Sequence, residues 1–267
     1  MQKVAIAGFG AIGFAAAKAL DQGLPGLKLA AVSANDKARA ADKQRGFNNP
    51  VPVLDYTELA AAADIIVEAM PAKYFDTLAE SAIDQGRTFI PLSCGQLLRR
   101  ADLKDRADAK GARIIVPTGA LLGLDAVCAA AEGNITEARI TTTKPPNGLA
   151  GAPYLETAGI DVLAINEPTR IFAGSAREGA IGFPANVNVA AALAMAGIGP
   201  DATILEIWAD PDIGRNQHRI QITSCSADLD MTIRNIPSDE NPRTGKITAL
   251  SLIATLRKMH APLAVGT

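Results

Sequence analysis

The chain has 267 residues, enough for one large domain or two modest ones with a sizeable core. Hydrophobic residues make up 48% and charged residues 20%, as in a globular protein, and a net charge of -2 without a dense Lys/Arg block argues against a nucleic-acid partner. Three widely spaced cysteines, Cys94, Cys128 and Cys225, form neither a disulfide framework nor a zinc pattern and suit a reducing, cytoplasmic compartment.

Lys3 and the apolar residues after it superficially resemble a signal peptide. Gly8, Gly10 and Gly13 would break a signal helix, and no other apolar stretch is long enough to span a bilayer, so no membrane partner is expected. Val4–Ala7 instead reads as a buried strand that breaks into the turn G-x-G-x-x-G and resumes as a helix through Leu20. The first glycine allows the tight turn, the second lets backbone approach a pyrophosphate, and the third lets helix pack on strand. Phosphates then sit on free N–H groups at the positive end of the helix dipole. Gly8, Gly10, Ala11, Ile12 and Gly13 are therefore candidate dinucleotide contacts.

Leu27–Ser33 is the predicted second strand. An acidic residue commonly ends this strand and binds the ribose 2′-hydroxyl of NAD. Here Ala34 and Asn35 follow it, with Asp36, Lys37 and Arg39 beyond. The choice between NAD and NADP stays open: Lys37 or Arg39 could pair a 2′-phosphate, or both could be solvated helix charges.

Asp55 and Glu58 have capping-box spacing ahead of a short helix to Ala63. Strands are predicted at 64–69, 88–92 and 113–117, with helices from about Ala72 to Gly86 and on to about Lys110. This alternation means a doubly wound parallel sheet whose ligands lie beyond the carboxyl ends of the strands. Met70-Pro71, Ser93-Cys94-Gly95 and Thr118-Gly119-Ala120 follow such ends. The pattern then changes. A short helix at 125–132 precedes strands at 135–144 and 171–174, a capping box at Ser175 and Glu178, and a helix at 189–196 capped by Asn188. Strand-like runs at 203–209, 217–225 and 229–236 joined by short turns predict an antiparallel or mixed sheet, and a last helix covers 246–260. The expected fold is α/β, a Rossmann-type domain at 1–120 followed by a smaller α+β domain at 121–245, with residues 246–267 packing back on the first domain.

A nicotinamide enzyme must manage protons while hydride leaves carbon. His218 stands beside the polar loop 210–217, whereas His260 near the end of the chain reads as a surface or packing residue. Cys94 follows a strand end where a thiolate could attack an aldehyde, with no histidine near it in sequence. Asn186 and Asn188 flank a helix start, where amides and N–H groups could hold a carboxamide or a carboxylate. Lys144, Arg215, Arg243 and Lys246 are the cations available to an acidic substrate.

Lys144-Pro145-Pro146, Gly174–Glu178, Phe183-Pro184-Ala185-Asn186-Val187-Asn188-Val189, Arg215-Asn216-Gln217-His218 and Glu240-Asn241-Pro242-Arg243-Thr244 occur in order along the chain. Together with the glycine turn they resemble the L-aspartate dehydrogenase family over essentially the whole sequence. The resemblance implies NAD(P)-dependent oxidation of L-aspartate to iminoaspartate, which feeds NAD biosynthesis or hydrolyses to oxaloacetate and ammonia. It implies a catalytic His218, cofactor contacts at Ala120 and Asn188, and a homodimer. Relatives often carry an acidic residue where this chain has Ala34, and another small apolar residue where it has Cys94. On this reading Lys144, Asn186 and Arg243 face the substrate. The alternatives are a related oxidoreductase of the aspartate pathway, of the dihydrodipicolinate reductase or semialdehyde dehydrogenase type, and a non-catalytic NAD(P)-sensing module.

Overall fold

The structure is a computed structural model and describes residues 1–238 and 245–266. The predicted contact at Arg243, with the whole stretch Glu240–Thr244, lies outside the described residues. The chain divides into two compact units. Unit 1 comprises Met1–Ser93, Arg99–Pro117 and Thr248–Ala264; unit 2 comprises Cys94–Leu98, Thr118–Ile247 and Val265–Thr267.

Unit 1 is built on six parallel strands: β1 (Gln2–Ala7), β2 (Leu27–Ser33), β3 (Val53–Leu54), β4 (Ile65–Glu68), β5 (Thr88–Pro91) and β6 (Arg113–Ile114), in the order β3-β2-β1-β4-β5-β6. The crossovers carry helices α1 (Ala11–Asp21), α2 (Lys37–Lys43), α3 (Leu59–Ala62), α4 (Phe75–Asp84) and α5 (Asp102–Lys110). The strand order reverses between β1 and β4, which opens a crevice at the carboxyl edge of the sheet. Val4–Ala7 and Ile65–Val67 are fully buried, as a sheet covered on both faces requires.

Three local readings are corrected. The helix expected from Ala72 begins as a tight 3-10 turn, Ala72–Tyr74, before α4. The Asp55–Glu58 capping box is present, but it opens a 3-10 turn at Tyr56–Glu58 ahead of α3. The strand expected at 113–117 is regular only over Arg113–Ile114; Ile115 N–H still donates to the Phe89 carbonyl at 2.9 Å, but Pro91 at the end of β5 has no N–H with which to extend the ladder.

Unit 2 contains α6 (Leu124–Ala131), β7 (Ile135–Lys144), α7 (Pro153–Ala158), β8 (Thr169–Ser175), α8 (Ala176–Gly182), α9 (Asn188–Ala196), β9 (Ile204–Ala209), β10 (Gln217–Ser224) and β11 (Asp228–Arg234). Its mixed sheet runs β11-β10-β7-β9-β8, with only β7 and β9 parallel. On β7, Ala138, Ile140, Thr142 and Lys144 are buried, and on β10, His218, Ile220 and Ile222; this period-two pattern defines the covered face. The alanine-rich α9 packs on β7 over that face.

The last helix, α10 (Lys246–Lys258), delivers Leu252 and Leu256 into the unit 1 core beside Val4, Ile6, Leu20 and Leu27. It stops short of His260, whose ring packs against Gly26 and whose Nε2 lies 2.8 Å from Gln2 Oε1.

Candidate active site

In unit 1 the glycine turn joins β1 to α1. Gly8 has φ of +99°, and a Cβ there would lie 2.2 Å from the Ala69 carbonyl oxygen. A Cβ on Gly13 would lie 1.9 Å from the Gly8 oxygen. The chain's own backbone therefore excludes a side chain at both positions. Gly10 differs: nothing lies within 4 Å of a Cβ placed there, and no side chain caps the N-terminus of α1 that it opens. Open space beside uncapped N–H groups fits a pyrophosphate. Ala11 and Ile12 are half-buried in the first turn of α1.

Ala34 is half-buried just past β2. Asp36 does not point at a ribose, because its side chain caps α2 by accepting from Arg39 N–H at 2.9 Å. Lys37 is tied to Asp55 at 2.8 Å, while Arg39 is exposed. Of the two cations considered for a 2′-phosphate, the structure engages Lys37 elsewhere.

In unit 2, His218 lies directly opposite Thr142 in the β10–β7 register, with Nδ1 3.0 Å from Thr142 Oγ1. Lys144 follows two residues along the same face of β7, and its Nζ donates to Asn186 Oδ1 at 2.5 Å. Lys144 and Asn186 line a cavity of about 580 Å³ with Asn147, Phe183, Arg215 and Asn216. The structure thus brings three predicted site residues, His218, Lys144 and Asn186, into one row. Thr142 completes it and went unread in the sequence, although strand alternation places it on the Lys144 face.

The electrostatics follow from burial. Lys144 is 8% exposed, and among the described ion pairs none includes it; burial lowers its pKa from 10.5 to about 8. His218 is 2% exposed, and its pKa falls from 6.5 to about 3, through burial first and the Lys144 charge second. The imidazole is accordingly neutral at neutral pH, beside a cation with no acidic partner among the described residues. Such a cation is suited to an incoming carboxylate.

This depression has a consequence for stability. The unfolded chain protonates His218 below pH 6.5, whereas the folded chain holds it neutral down to about 3. Stability is therefore lost as the pH falls through that window, by up to about 1.4 kcal/mol per pH unit. We expect urea titrations at pH values just below 6.5 to show this loss in the native sequence and its absence in His218→Gln. Equal pH slopes for the two proteins would reject the buried, neutral histidine.

Asn188 was expected to cap α9, and the structure corrects this. Val187 is the N-cap, without a side-chain cap, and Asn188 is the first helical residue. Its Oδ1 accepts from Gly95 N–H at 2.9 Å, and its carbonyl accepts from the buried Cys94 thiol at 3.2 Å. A short helix N-terminus is here fixed to a loop distant in sequence, and the Cys94 thiol is part of that packing. The Ala120 carbonyl accepts from Asn235 Nδ2 at 3.1 Å. Arg215 and Lys246 are exposed, the latter at the start of α10.

Comparison with known proteins agrees with this architecture. Residues 125–259 match the family model described as aspartate dehydrogenase, C-terminal, and residues 8–117 match homoserine dehydrogenase, NAD binding domain. L-aspartate dehydrogenase of Bradyrhizobium diazoefficiens is 51% identical over 99% of this chain and 94% of its own length. L-aspartate dehydrogenase 3 of Bordetella bronchiseptica is 51% identical over 99% of this chain and 97% of its own. That of Methanocella arvoryzae is 38% identical with both chains fully covered. Among solved structures, aspartate dehydrogenase from Thermotoga maritima shares the fold, with a TM-score of 0.74 at 23% identity and full coverage of both chains. The match across 125–259 and the full-length identities establish that this chain belongs to the aspartate dehydrogenase family.

Proposed function

We propose that this enzyme oxidises L-aspartate to iminoaspartate with NAD or NADP, the product then hydrolysing to oxaloacetate and ammonia or entering NAD biosynthesis. The observation that carries the site assignment is the row formed by His218, Thr142, Lys144 and Asn186, of which Lys144 and Asn186 line the unit 2 cavity. When bound, the dinucleotide would supply the hydride acceptor for the reaction. Gly8, Gly10, Ala11, Ile12 and Gly13 would hold its pyrophosphate, and Ala34 would face its adenosine ribose. Ala120 and Asn188 contribute further contacts to it.

Lys144 takes a substrate carboxylate, which supplies a counter-charge that its buried ammonium does not find among the described residues, and Asn186 orients that ammonium. His218 accepts a proton from the substrate ammonium, so that the nitrogen lone pair forms the C=N bond as hydride departs. For Nε2 to be the acceptor, Nδ1–H must donate to Thr142 Oγ1. A dicarboxylate beside Lys144 offsets the charge that depresses His218, so the substrate itself raises the basicity of its proton acceptor. The net reaction balances as L-aspartate plus oxidised dinucleotide giving iminoaspartate, reduced dinucleotide and one proton. We further propose a cytoplasmic homodimer; the cytoplasmic assignment is supported by three cysteines that form no disulfide, the dimer by the habit of the family. Among the described residues no helix is long and apolar enough to cross a membrane.

The test is the absorbance of reduced nicotinamide on adding L-aspartate with each dinucleotide, and its loss with oxaloacetate and ammonia in reverse. Dinucleotide binding with no turnover in either direction would turn the assignment towards a sensing module. Ala34 supplies the specificity test. With no carboxylate there, NADP is not repelled; Ala34→Asp is expected to shift the NAD/NADP ratio of kcat/KM towards NAD by roughly ten-fold. An unchanged ratio would remove Ala34 from the ribose site.

A further inference from the structure

Glu68 ends β4, the central strand on the far side of the switch point from β2, and it is 0% exposed. Its carboxylate is fully used. Oε1 accepts from Met70 N–H at 2.9 Å and from the Ser93 hydroxyl at 3.1 Å, and Oε2 accepts from Ser93 N–H at 2.9 Å. Among the described ion pairs no cation faces it, and its hydrogen bonds come from two backbone amides and one hydroxyl. Burial raises its pKa, and the hydrogen bonds from Ser93 and Met70 oppose that rise.

A buried carboxylate is a costly way to close a sheet edge; an apolar residue of similar volume would pack there at lower cost. What a carboxylate alone supplies is acceptors for two loops together. Met70 opens the loop after β4, and Ser93 lies in the loop after β5. The same edge continues through the glycine turn. Gly8 abuts the Ala69 carbonyl, Ala69 N–H donates to Ala7 O at 2.8 Å, and Gly8 N–H donates to Ser33 O at 3.0 Å. From β2 across β1 and β4 to β5, the carboxyl edge is joined loop to loop.

We infer that Glu68 is a positioning residue for the dinucleotide, fixing the Met70 and Ser93 loops as the wall of its nicotinamide half. In a doubly wound sheet the adenosine lies on the β2 side of the switch point, and the other half lies over β4 and β5. The inference rests on the reading that the cofactor occupies this edge. Glu68 touches no reacting atom; it acts through Met70 and Ser93.

Glu68→Gln is the direct test, because it keeps size and shape while turning one acceptor into an NH₂ group. Either orientation of the amide leaves at least one loop N–H facing a donor. The expected result is a rise of about ten-fold in the NADH dissociation constant, read by fluorescence titration. In the cofactor-free protein, faster hydrogen exchange at the Met70 and Ser93 amides is expected, with KM for L-aspartate little changed. Ser93→Ala leaves the carboxylate and Ser93 N–H in place, and is expected to give a smaller loss of the same kind. Glu68→Asp, which keeps the carboxyl group, should recover part of the affinity. Native affinity for NADH in a folded Glu68→Gln protein, or lower thermal stability with an unchanged dissociation constant, would overturn the inference. If the native sequence bound neither NADH nor NADPH, the cofactor reading itself would fall, and this inference with it.

Discussion

His218→Gln is expected to lower kcat by ~10²–10⁴-fold, the usual worth of a positioned proton acceptor, while leaving the dissociation constant for NADH near its native value. The glutamine amide can still meet Thr142 Oγ1, so the β10–β7 pairing survives and the loss reports chemistry. The pH profile sharpens the assignment. His218 is neutral above about 3 in the protein alone, and on the proposed assignment the substrate carboxylates would oppose Lys144 in the ternary complex and raise that value. The acid limb of kcat should therefore lie at higher pH than 3, and it should vanish in His218→Gln. A variant that turned over at near-native rate, folded and with cofactor bound, would assign the proton transfer elsewhere.

Lys144→Met should separate stability from function. The ammonium is buried, and its pKa of about 8 lies below the ordinary 10.5. Its burial therefore costs stability in full below pH 8, and the cost disappears as the pH rises towards 10.5. Methionine keeps the length of the stem without the charge. At neutral pH the variant is expected to be more stable by roughly 1–3 kcal/mol, a gain that shrinks in alkaline buffer. Its KM for L-aspartate is expected to rise about a hundred-fold, because the substrate carboxylate loses a charge-assisted partner in a water-poor site. Thermal melts across pH alongside steady-state kinetics check both halves. Unchanged KM would place the carboxylate on another cation; reduced stability at neutral pH would contradict the burial cost.

Elements whose signals are local were read well. β2 and β7 match their expected limits of 27–33 and 135–144, because each is bounded by turn chemistry and alternates or runs apolar throughout. The Ser175–Glu178 capping box opens α8 as its spacing requires. The three glycines also carried their reasons, as the occupied space at Gly8 and Gly13 and the open space at Gly10 show. What went unread is non-local. Three late strands joined by short turns suggest neighbours, yet β7 lies between β9 and β10, and no turn residue encodes that insertion. Asn188 has a good capping residue's identity but bonds Gly95, 93 positions earlier in the chain. Glu68 carries no signal of its own within the predicted strand 64–69; its partners, Met70 and Ser93, come from two loops that meet only when the parallel sheet has formed.

The path of α10 has a consequence for how the chain is made. Leu252 and Leu256 belong to the same core as Val4, Ile6 and Leu20. During synthesis from the N-terminus, the glycine turn and its sheet leave the ribosome first, but two of the side chains that seal their core come more than two hundred residues after the glycine turn. Nearly all of unit 2 is already available by then, apart from Val265–Thr267. The core that begins to be translated first is thus sealed only near the end, and its apolar edge stays open to chaperones, or to misassembly, for most of translation.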